Sequence, residues 1–295
     1  MSEFVFPVGI IDIGSNSVRL MFTDGNFIKK NLIITRLGGG FDGQGNLSFE
    51  SMLTTAKAIS ALKEEALTNG AKSIYAFATA AVRKAKNKAE FLSLVKDVSG
   101  VFVDVISGDT EAELAVLGAL GKESGAVIDV GGASSEIAFS DNGKIVYKFS
   151  HNIGAVTLFS DFNRDENAIT KKLDELIIDK PFYGVKTVKA IGGTATSLAV
   201  LDLRLKKYDS KIIDGHYISF ERLIELKDYA YLKSPTYLSK NYAIEPKRAE
   251  VIAGGASIII KILKSYGLDG ISVSESDNLE GYLKYVKKYY GKKKT

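Results

Sequence analysis

The chain has 295 residues, 45% hydrophobic and 25% charged, with a formal net charge of +4. That length suits two domains, and the even spread of charge marks a soluble, globular class. A charge of +4 is too small to argue for duplex nucleic acid, yet it suits a polyanionic small substrate if the excess is local. Cysteine is absent, which excludes disulfides, thiolate catalysis and cysteine-ligated zinc; two histidines, His151 and His216, are too few for a histidine-rich metal centre. The first apolar run is interrupted by Asp12, so it reads as neither a leader nor a membrane span, and a cytoplasmic protein is expected.

From Phe4 to Arg36 the pattern reads as three strands joined by tight turns, with Asp24-Gly-Asn26 marking one hairpin. The first strand carries Asp12 at its end and then turns on Gly14, Ser15, Asn16 and Ser17. Glycine lets backbone N–H groups crowd around an anion, and serine and asparagine add donors. An aspartate beside such a nest repels phosphate unless a divalent cation lies between them. The glycine-rich stretch Leu37–Asn46 reads as a mobile linker or lid, since no helix starts on it and no lysine follows in P-loop fashion. Ser48 caps a helix whose apolar positions run from Met52 to Ala66 at helical spacing and which closes at Asn69-Gly70. A strand at Ser73–Thr79, a helix at Glu90–Val98 and a strand at Val101–Ile106 complete an α/β layered domain. In the helix that follows, Thr110 and Glu113 fit a capping box. Glu111 is not needed for that cap and reads, by itself, as a first-turn acid favoured by the helix dipole.

A second domain is expected to begin within Gly121–Gly125, dividing the chain into 1–122 and 123–278, with a final helix near 279–291 packing back on the first domain. Strands at Val127–Asp129, Ser134–Phe139 and Lys144–Phe149 repeat the opening pattern. The acid and its turn are repeated too: Asp129, then Gly131, Gly132, Ala133, Ser134 and Ser135. One Asp-x-Gly turn is ordinary. Two, each after the same kind of buried strand, point to an internal duplication and to two jaws closing on one metal-bound phosphate chain. Glu136, by pattern alone, lies on the solvent face of a half-exposed strand, and His151 reads as a neutral surface histidine.

Asp165 or Glu166 starts a helix toward Ile178, and Pro181 ends that segment. A strand over Val185–Ile191 runs into Gly192-Gly-Thr-Ala-Thr-Ser197 and an apolar helix. The start of that helix suits an anion, while close helix–strand packing explains its glycines equally well. Ile218–Tyr231 is expected to be helical without a capping box, and Pro246 to precede one long apolar helix up to Tyr266. Arg248 reads as a surface ion pair with Glu245 or Glu250, as do Arg19 and Arg36 with unnamed partners. Lys292-Lys-Lys294 reads as a solvated end.

Asp12-Ile-Gly-Ser-Asn-Ser17 and Asp129-Val-Gly-Gly-Ala-Ser-Ser-Glu136 resemble the two phosphate-binding motifs of the exopolyphosphatase/guanosine-pentaphosphate phosphohydrolase family, within the actin, Hsp70 and sugar-kinase superfamily. Ala78-Thr-Ala-Ala-Val-Arg83, Ile106-Ser-Gly-Asp-Thr-Glu-Ala112, Ile191-Gly-Gly-Thr-Ala-Thr196 and Ser272-Val-Ser-Glu-Ser-Asp-Asn-Leu-Glu-Gly281 follow in the family's order. The resemblance implies two actin-like α/β domains with mixed five-stranded sheets and an interdomain cleft. It implies a phosphoanhydride hydrolase that releases terminal phosphate from inorganic polyphosphate or guanosine pentaphosphate. Magnesium, or manganese, would be held by Asp12, Asp129 and Glu136. Phosphate would be gripped by Gly14–Ser17, by Gly131–Ser135 and by Gly193 and Thr194. Glu111 would activate water and Arg83 would steady charge. Thr110 stands where the family often has a second glutamate, Ala133 replaces a third glycine, and relatives often carry arginine near His151. Longer members continue into helical domains that help bind long chains, and nothing in this sequence corresponds, so long-range processivity is not expected, although a homodimer could extend the channel. Two other readings are a non-hydrolytic actin-like nucleotide binder and a polyphosphate sensor with a degraded site.

Overall fold

A computed structural model describes residues 5–175, 184, 185 and 187–290, with the side chains of 289 and 290 excepted. Readings that rest on Ile178, Pro181 and residues 292–294 therefore lie outside the described residues. The chain divides into two units, Met1–Leu114 with Asn278–Thr295, and Ala115–Asp277. The first crossing falls inside a helix rather than at the glycines around 121–125, and the C-terminal helix belongs to the first unit.

In chain order the first unit comprises β1 (Val8–Ile13), β2 (Ser17–Thr23), β3 (Ile28–Ile34), α1 (Phe49–Thr68), β4 (Ser73–Ala78), α2 (Ala80–Lys84), α3 (Lys88–Ser99), β5 (Val103–Val105) and the start of α4 (Gly108–Ala119). Its five-stranded sheet has the order β3-β2-β1-β4-β5; β1, β2 and β3 are antiparallel, while β4 and β5 run parallel to β1. Every residue of β1 is buried, so alternation is replaced by a continuous apolar run broken only by Asp12. The period of two still sorts the side chains. Ile11 and Ile13 join Met52, Ile59, Leu62, Phe91 and Val95 of α1 and α3 on one face. Val8 and Ile10 join Phe77, Leu114, Leu279, Tyr282 and Val286 on the other. Each such side chain contributes about 1.5–3 kcal/mol on burial.

The second unit takes over within α4 and continues through β6 (Gly125–Val130), β7 (Ser135–Asp141), β8 (Lys144–His151), α5 (Ala155–Phe162), α6 (Glu166–Asp174), β9 (Val188–Ile191), α7 (Gly192–Asp202), α8 (Ser210–Ile213), β10 (Tyr217–Ser219), α9 (Phe220–Leu232), α10 (Pro235–Asn241), α11 (Pro246–Ala249), α12 (Ile252–Tyr266) and β11 (Gly270–Val273). α13 (Asn278–Tyr290) then returns to the first unit. The second sheet has six strands in the order β10-β11-β9-β6-β7-β8, one more than expected. The extra strand is β10, which pairs with β11 at the edge and uses residues expected to open a helix; the helix waits for Ser219, whose hydroxyl accepts from the N–H of Arg222. The apolar stretch after Pro246 is likewise two helices, α11 and α12. The Arg164 guanidinium closes the far end of α9 by donating to the carbonyls of Ala230, Tyr231 and Lys233. Among the described residues no helix is long and apolar enough to cross a membrane.

α13 is fastened to the first sheet by stacking of Tyr282 on Phe77, with ring centroids 4.5 Å apart, and by a hydrogen bond from the Tyr282 hydroxyl to Asp104 Oδ2 at 2.5 Å. Its approach to α4 depends on Gly281, where a Cβ would lie 2.0 Å from the carbonyl oxygen of Leu114. Gly281→Ala is therefore expected to force α13 off α4 and to cost about 1–3 kcal/mol, the usual toll of overpacking. A thermal or urea unfolding midpoint equal to that of the wild type would contradict this packing.

Candidate functional site

In open α/β sheets, ligands bind beyond the carboxyl ends of the parallel strands. In the first unit, β1, β4 and β5 end together, so the turn after Ile13, the Thr79–Arg83 segment and the Ile106–Glu111 segment leave one edge side by side. The Thr79 N–H donates to the Ile13 carbonyl at 3.2 Å and the Ile106 N–H to the Ala78 carbonyl at 3.0 Å, which knits the three together. In the second unit, β6, β9 and β11 end together in the same way and bring out the turn 131–134 and the start of α7.

The two turns share one construction. Gly14 N–H donates to the Ser17 carbonyl at 3.0 Å, and Gly131 N–H to the Ser134 carbonyl at 3.0 Å. At either glycine a Cβ would sit 3.2 Å from that same carbonyl oxygen. Two further carbonyls of each turn are occupied by neighbouring N–H groups. Ser15 O accepts from Gly38 N–H at 2.8 Å, and Asn16 O from Thr35 and Arg36 N–H at 3.0 and 2.9 Å. In the second turn, Gly131 O accepts from Ala155 N–H at 2.9 Å, and Gly132 O from Val156 and Thr157 N–H at 2.8 and 3.0 Å. The N–H groups of Ser15, Asn16, Gly132 and Ser134 have no protein acceptor among the described residues. Donors face one way and acceptors the other, which makes an anion nest.

The start of the glycine-rich stretch is packed rather than free. Leu37–Gly40 forms one 3-10 turn that closes the back of the first nest, and a Cβ on Gly38 would stand 2.9 Å from that of Ser15. Gly154 does the same for the second nest: a Cβ there would lie 2.4 Å from the Gly132 carbonyl carbon and 2.5 Å from the Ala133 nitrogen. Ala133 itself is buried.

The aspartates have different companions. Asp12 is paired across the hairpin with Arg19, and Asp129, at the same place in the second hairpin, with Glu136. Arg19 donates through Nη2 and Nε to Asp12 Oδ2 at 2.5 and 3.1 Å, so it is engaged with the buried turn acid rather than forming a surface ion pair. Glu136 is only 2% exposed, which overturns the solvent-face reading; β7 is covered on both sides. Its Oε1 accepts from the Ser150 hydroxyl at 2.7 Å. Two carboxylates opposite one another repel unless something positive intervenes. Part of that charge comes from the start of α7, since Gly192 (φ +80°) is so close that a Cβ would lie 2.9 Å from Asp129 Oδ1. Among the described residues no group of three or more His, Cys, Asp or Glu is gathered as a metal cluster. Asp129 and Glu136 nevertheless fit a hard cation that binds oxygen through a few carboxylates and retains water, as magnesium and manganese do.

Glu111 and Arg83 are brought together. Arg83 Nη1 donates to Glu111 Oε2 at 3.0 Å and to the Ile106 carbonyl at 2.9 Å, and Glu111 is 6% exposed. The capping box expected from Thr110 and Glu113 is not the one formed. Ser107 Oγ accepts from the Thr110 N–H at 3.0 Å, so the cap lies one turn earlier and Glu113 is exposed. That shift leaves Glu111 buried in the first turn with its carboxylate oriented by Arg83.

At α7, the Thr194 hydroxyl is committed to the Val130 carbonyl at 2.9 Å, so the anion-binding capacity of this element lies in its N–H groups. The Arg248 guanidinium lies over Gly193, where a Cβ would be 3.0 Å from Arg248 Cζ. Sequence reasoning missed this placement, as it missed Ser150 beneath Glu136. The Asp12–Arg19 pair was legible, because seven residues separate both Asp12 from Arg19 and Asp129 from Glu136. His151 is buried, not at the surface: it is 7% exposed, sits opposite Ser135 and has its ring 4.4 Å from that of Phe149. Burial lowers its pKa from 6.5, and Nε2 has no partner among the described residues.

Two turns of one construction at the carboxyl ends of parallel strands, each following an aspartate, define a duplicated α/β protein. The chain belongs to the Ppx/GppA phosphatase family, whose pattern it matches over residues 21–286, and it is accordingly a phosphoanhydride hydrolase. It is 27% identical to exopolyphosphatase 2 of Mycobacterium tuberculosis over 93% of this chain and 96% of that one. It is 26% identical to the guanosine-5'-triphosphate,3'-diphosphate pyrophosphatase of Photobacterium profundum, over 92% of this chain but 57% of the relative. A crystal structure of the Aquifex aeolicus Ppx/GppA family member superposes with a TM-score of 0.76 at 30% identity, covering 98% of this chain and 99% of that one.

Two outcomes test this geometry. Because the folded-state pKa of His151 lies below 6.5, the unfolded chain takes up a proton first as the pH falls, so stability held above pH 6.5 is lost below it. Urea midpoints should therefore drop between neutral and mildly acidic pH, and His151→Leu should flatten that drop; equal slopes would contradict the buried, neutral ring. Gly154→Ala should displace the second nest and lower kcat/KM by at least ~10-fold, since small misplacements near the chemistry are costly. Wild-type kinetics would show that α5 does not shape the turn.

Proposed function

We propose that this protein removes the terminal phosphate of inorganic polyphosphate with the help of magnesium or manganese. The observation that carries the reading is a pair of turns, one in each unit, whose N–H groups are unclaimed, together with a buried carboxylate held by an arginine in the first unit. Hydrolysis needs a water placed in line with the terminal phosphorus and a base for its proton. Glu111 is the base: as the water oxygen bonds to phosphorus, its proton passes to the Glu111 carboxylate. The bridging P–O bond breaks, and the electron pair leaves on the shortened chain. Arg83 keeps Glu111 in one orientation and adds positive charge where the transferred group carries negative charge. The nest N–H groups and the start of α7 bind the phosphate oxygens. A cation held by Asp129 and Glu136 would offset chain charge and polarise a phosphoryl oxygen; Asp12, whose charge is shared with Arg19, is the third candidate ligand.

Phosphate release from the two substrates in parallel, with magnesium and with chelator, tests the reading. Release from polyphosphate that chelator abolishes is expected; release from the nucleotide alone would overturn the substrate. Glu111→Gln should lower turnover by ~10²–10⁴-fold while leaving polyphosphate binding intact, the range for a lost general base. An unchanged rate would place the base elsewhere.

A further inference from the structure

Two segments of the second unit are rich in positive charge. Residues 203–211 and 240–250, both in the second unit, carry seven Lys or Arg and three Asp or Glu, a net +4 that equals the formal charge of all 295 residues. The fold lays these segments together. Ala243 N–H donates to the Leu205 carbonyl at 2.8 Å, and Leu205 N–H to the Val200 carbonyl at 3.0 Å, which turns the first segment back along α7. Arg204, at φ 54°, holds the left-handed conformation that this reversal requires.

Arg204, Lys206, Lys207, Lys211, Lys240 and Lys247 are all exposed, and none is ion-paired among the described residues. Several cations elsewhere in the unit are matched: Lys261 with Asp174, Arg222 with Asp202 and Glu225, Lys227 with Glu166 and Asp228. Unmatched like charges repel each other, so such a strip favours a polyanion that spans it. The strip leads to the start of α7, where Arg248 covers Gly193. An 11-residue helix is about 16 Å long, enough for several consecutive phosphates. Single-stranded nucleic acid is held by aromatic platforms as well as charge. Along these segments the exposed aromatic side chain is Tyr208, whose hydroxyl is given to Glu275. A chain of phosphate without bases is the better match.

We propose that this strip is a track for the distal part of a long polyphosphate whose terminal phosphates are bound at the start of α7. The terminal placement rests on the function proposed above; the track itself does not. The test compares wild type with the triple variant Lys206→Gln, Lys207→Gln, Lys240→Gln, using long-chain polyphosphate and tripolyphosphate as probes. Loss of three exposed charge contacts should raise KM for the long chain by about tenfold. KM for tripolyphosphate should move less than about twofold, and the corresponding Lys→Arg triple should restore long-chain behaviour. Direct binding of labelled long chain should lose about 2 from its log–log salt slope. Equal effects on both chain lengths, or no effect, would overturn the track. Equally tight binding of a single-stranded RNA of matched charge through the same lysines would overturn the assignment to polyphosphate. If wild type hydrolyses neither probe, the hydrolytic reading fails, while saturable long-chain binding that the triple variant loses still upholds the track.

Discussion

The site depends on where the backbone acceptors of two short turns go. A turn exposes carbonyls as readily as N–H groups, and carbonyls repel phosphate. Here each turn has neighbours that consume its carbonyls: residues 35–38 in the first unit and the first turn of α5 in the second. Those neighbours approach so closely that Gly38 and Gly154 cannot carry a side chain. What remains facing outward is donor, and no lysine is needed to attract the anion. The cost of leaving N–H groups unbonded is modest while water reaches them, and an anion's oxygens in place of that water would recover it.

The duplication is geometrical but not electrostatic. Both hairpins place an aspartate opposite the residue seven positions on, and that residue is Arg19 in one and Glu136 in the other. One swap of sign gives the units different electrostatics. The first unit carries a neutralised acid and the Arg83–Glu111 pair, the group proposed above as the base. The second carries two facing carboxylates steadied by Ser150 and the start of α7, the pair proposed above to hold a cation.

Much of this was legible in the residues. Continuous apolar runs ending in Asp-x-Gly announced both nests, and β1 and β6 lie where the runs are. Legibility failed where a residue's meaning depends on what covers it. Glu136 alternates with apolar neighbours as a solvent-facing residue does, and only burial of both faces of β7 makes it an interior acid. His151 was misjudged for the same reason: neighbouring strands and Phe149 enclose it. The cap of α4 was missed by one turn because Ser107 and Thr110 are both good capping residues, and tertiary contacts of Arg83 with Ile106 and Glu111 favour the earlier start. The 35–40 segment is rich in glycine for close approach, which composition alone does not distinguish from mobility.

The most direct measurement is an amide-resolved NMR titration of the Glu111→Gln protein with tripolyphosphate and magnesium. Donation to phosphate oxygens predicts saturable downfield shifts of the Ser15, Asn16, Gly132 and Ser134 N–H resonances, with slowed hydrogen exchange at the same four. Binding that leaves those four amides unmoved while perturbing others would contradict the account.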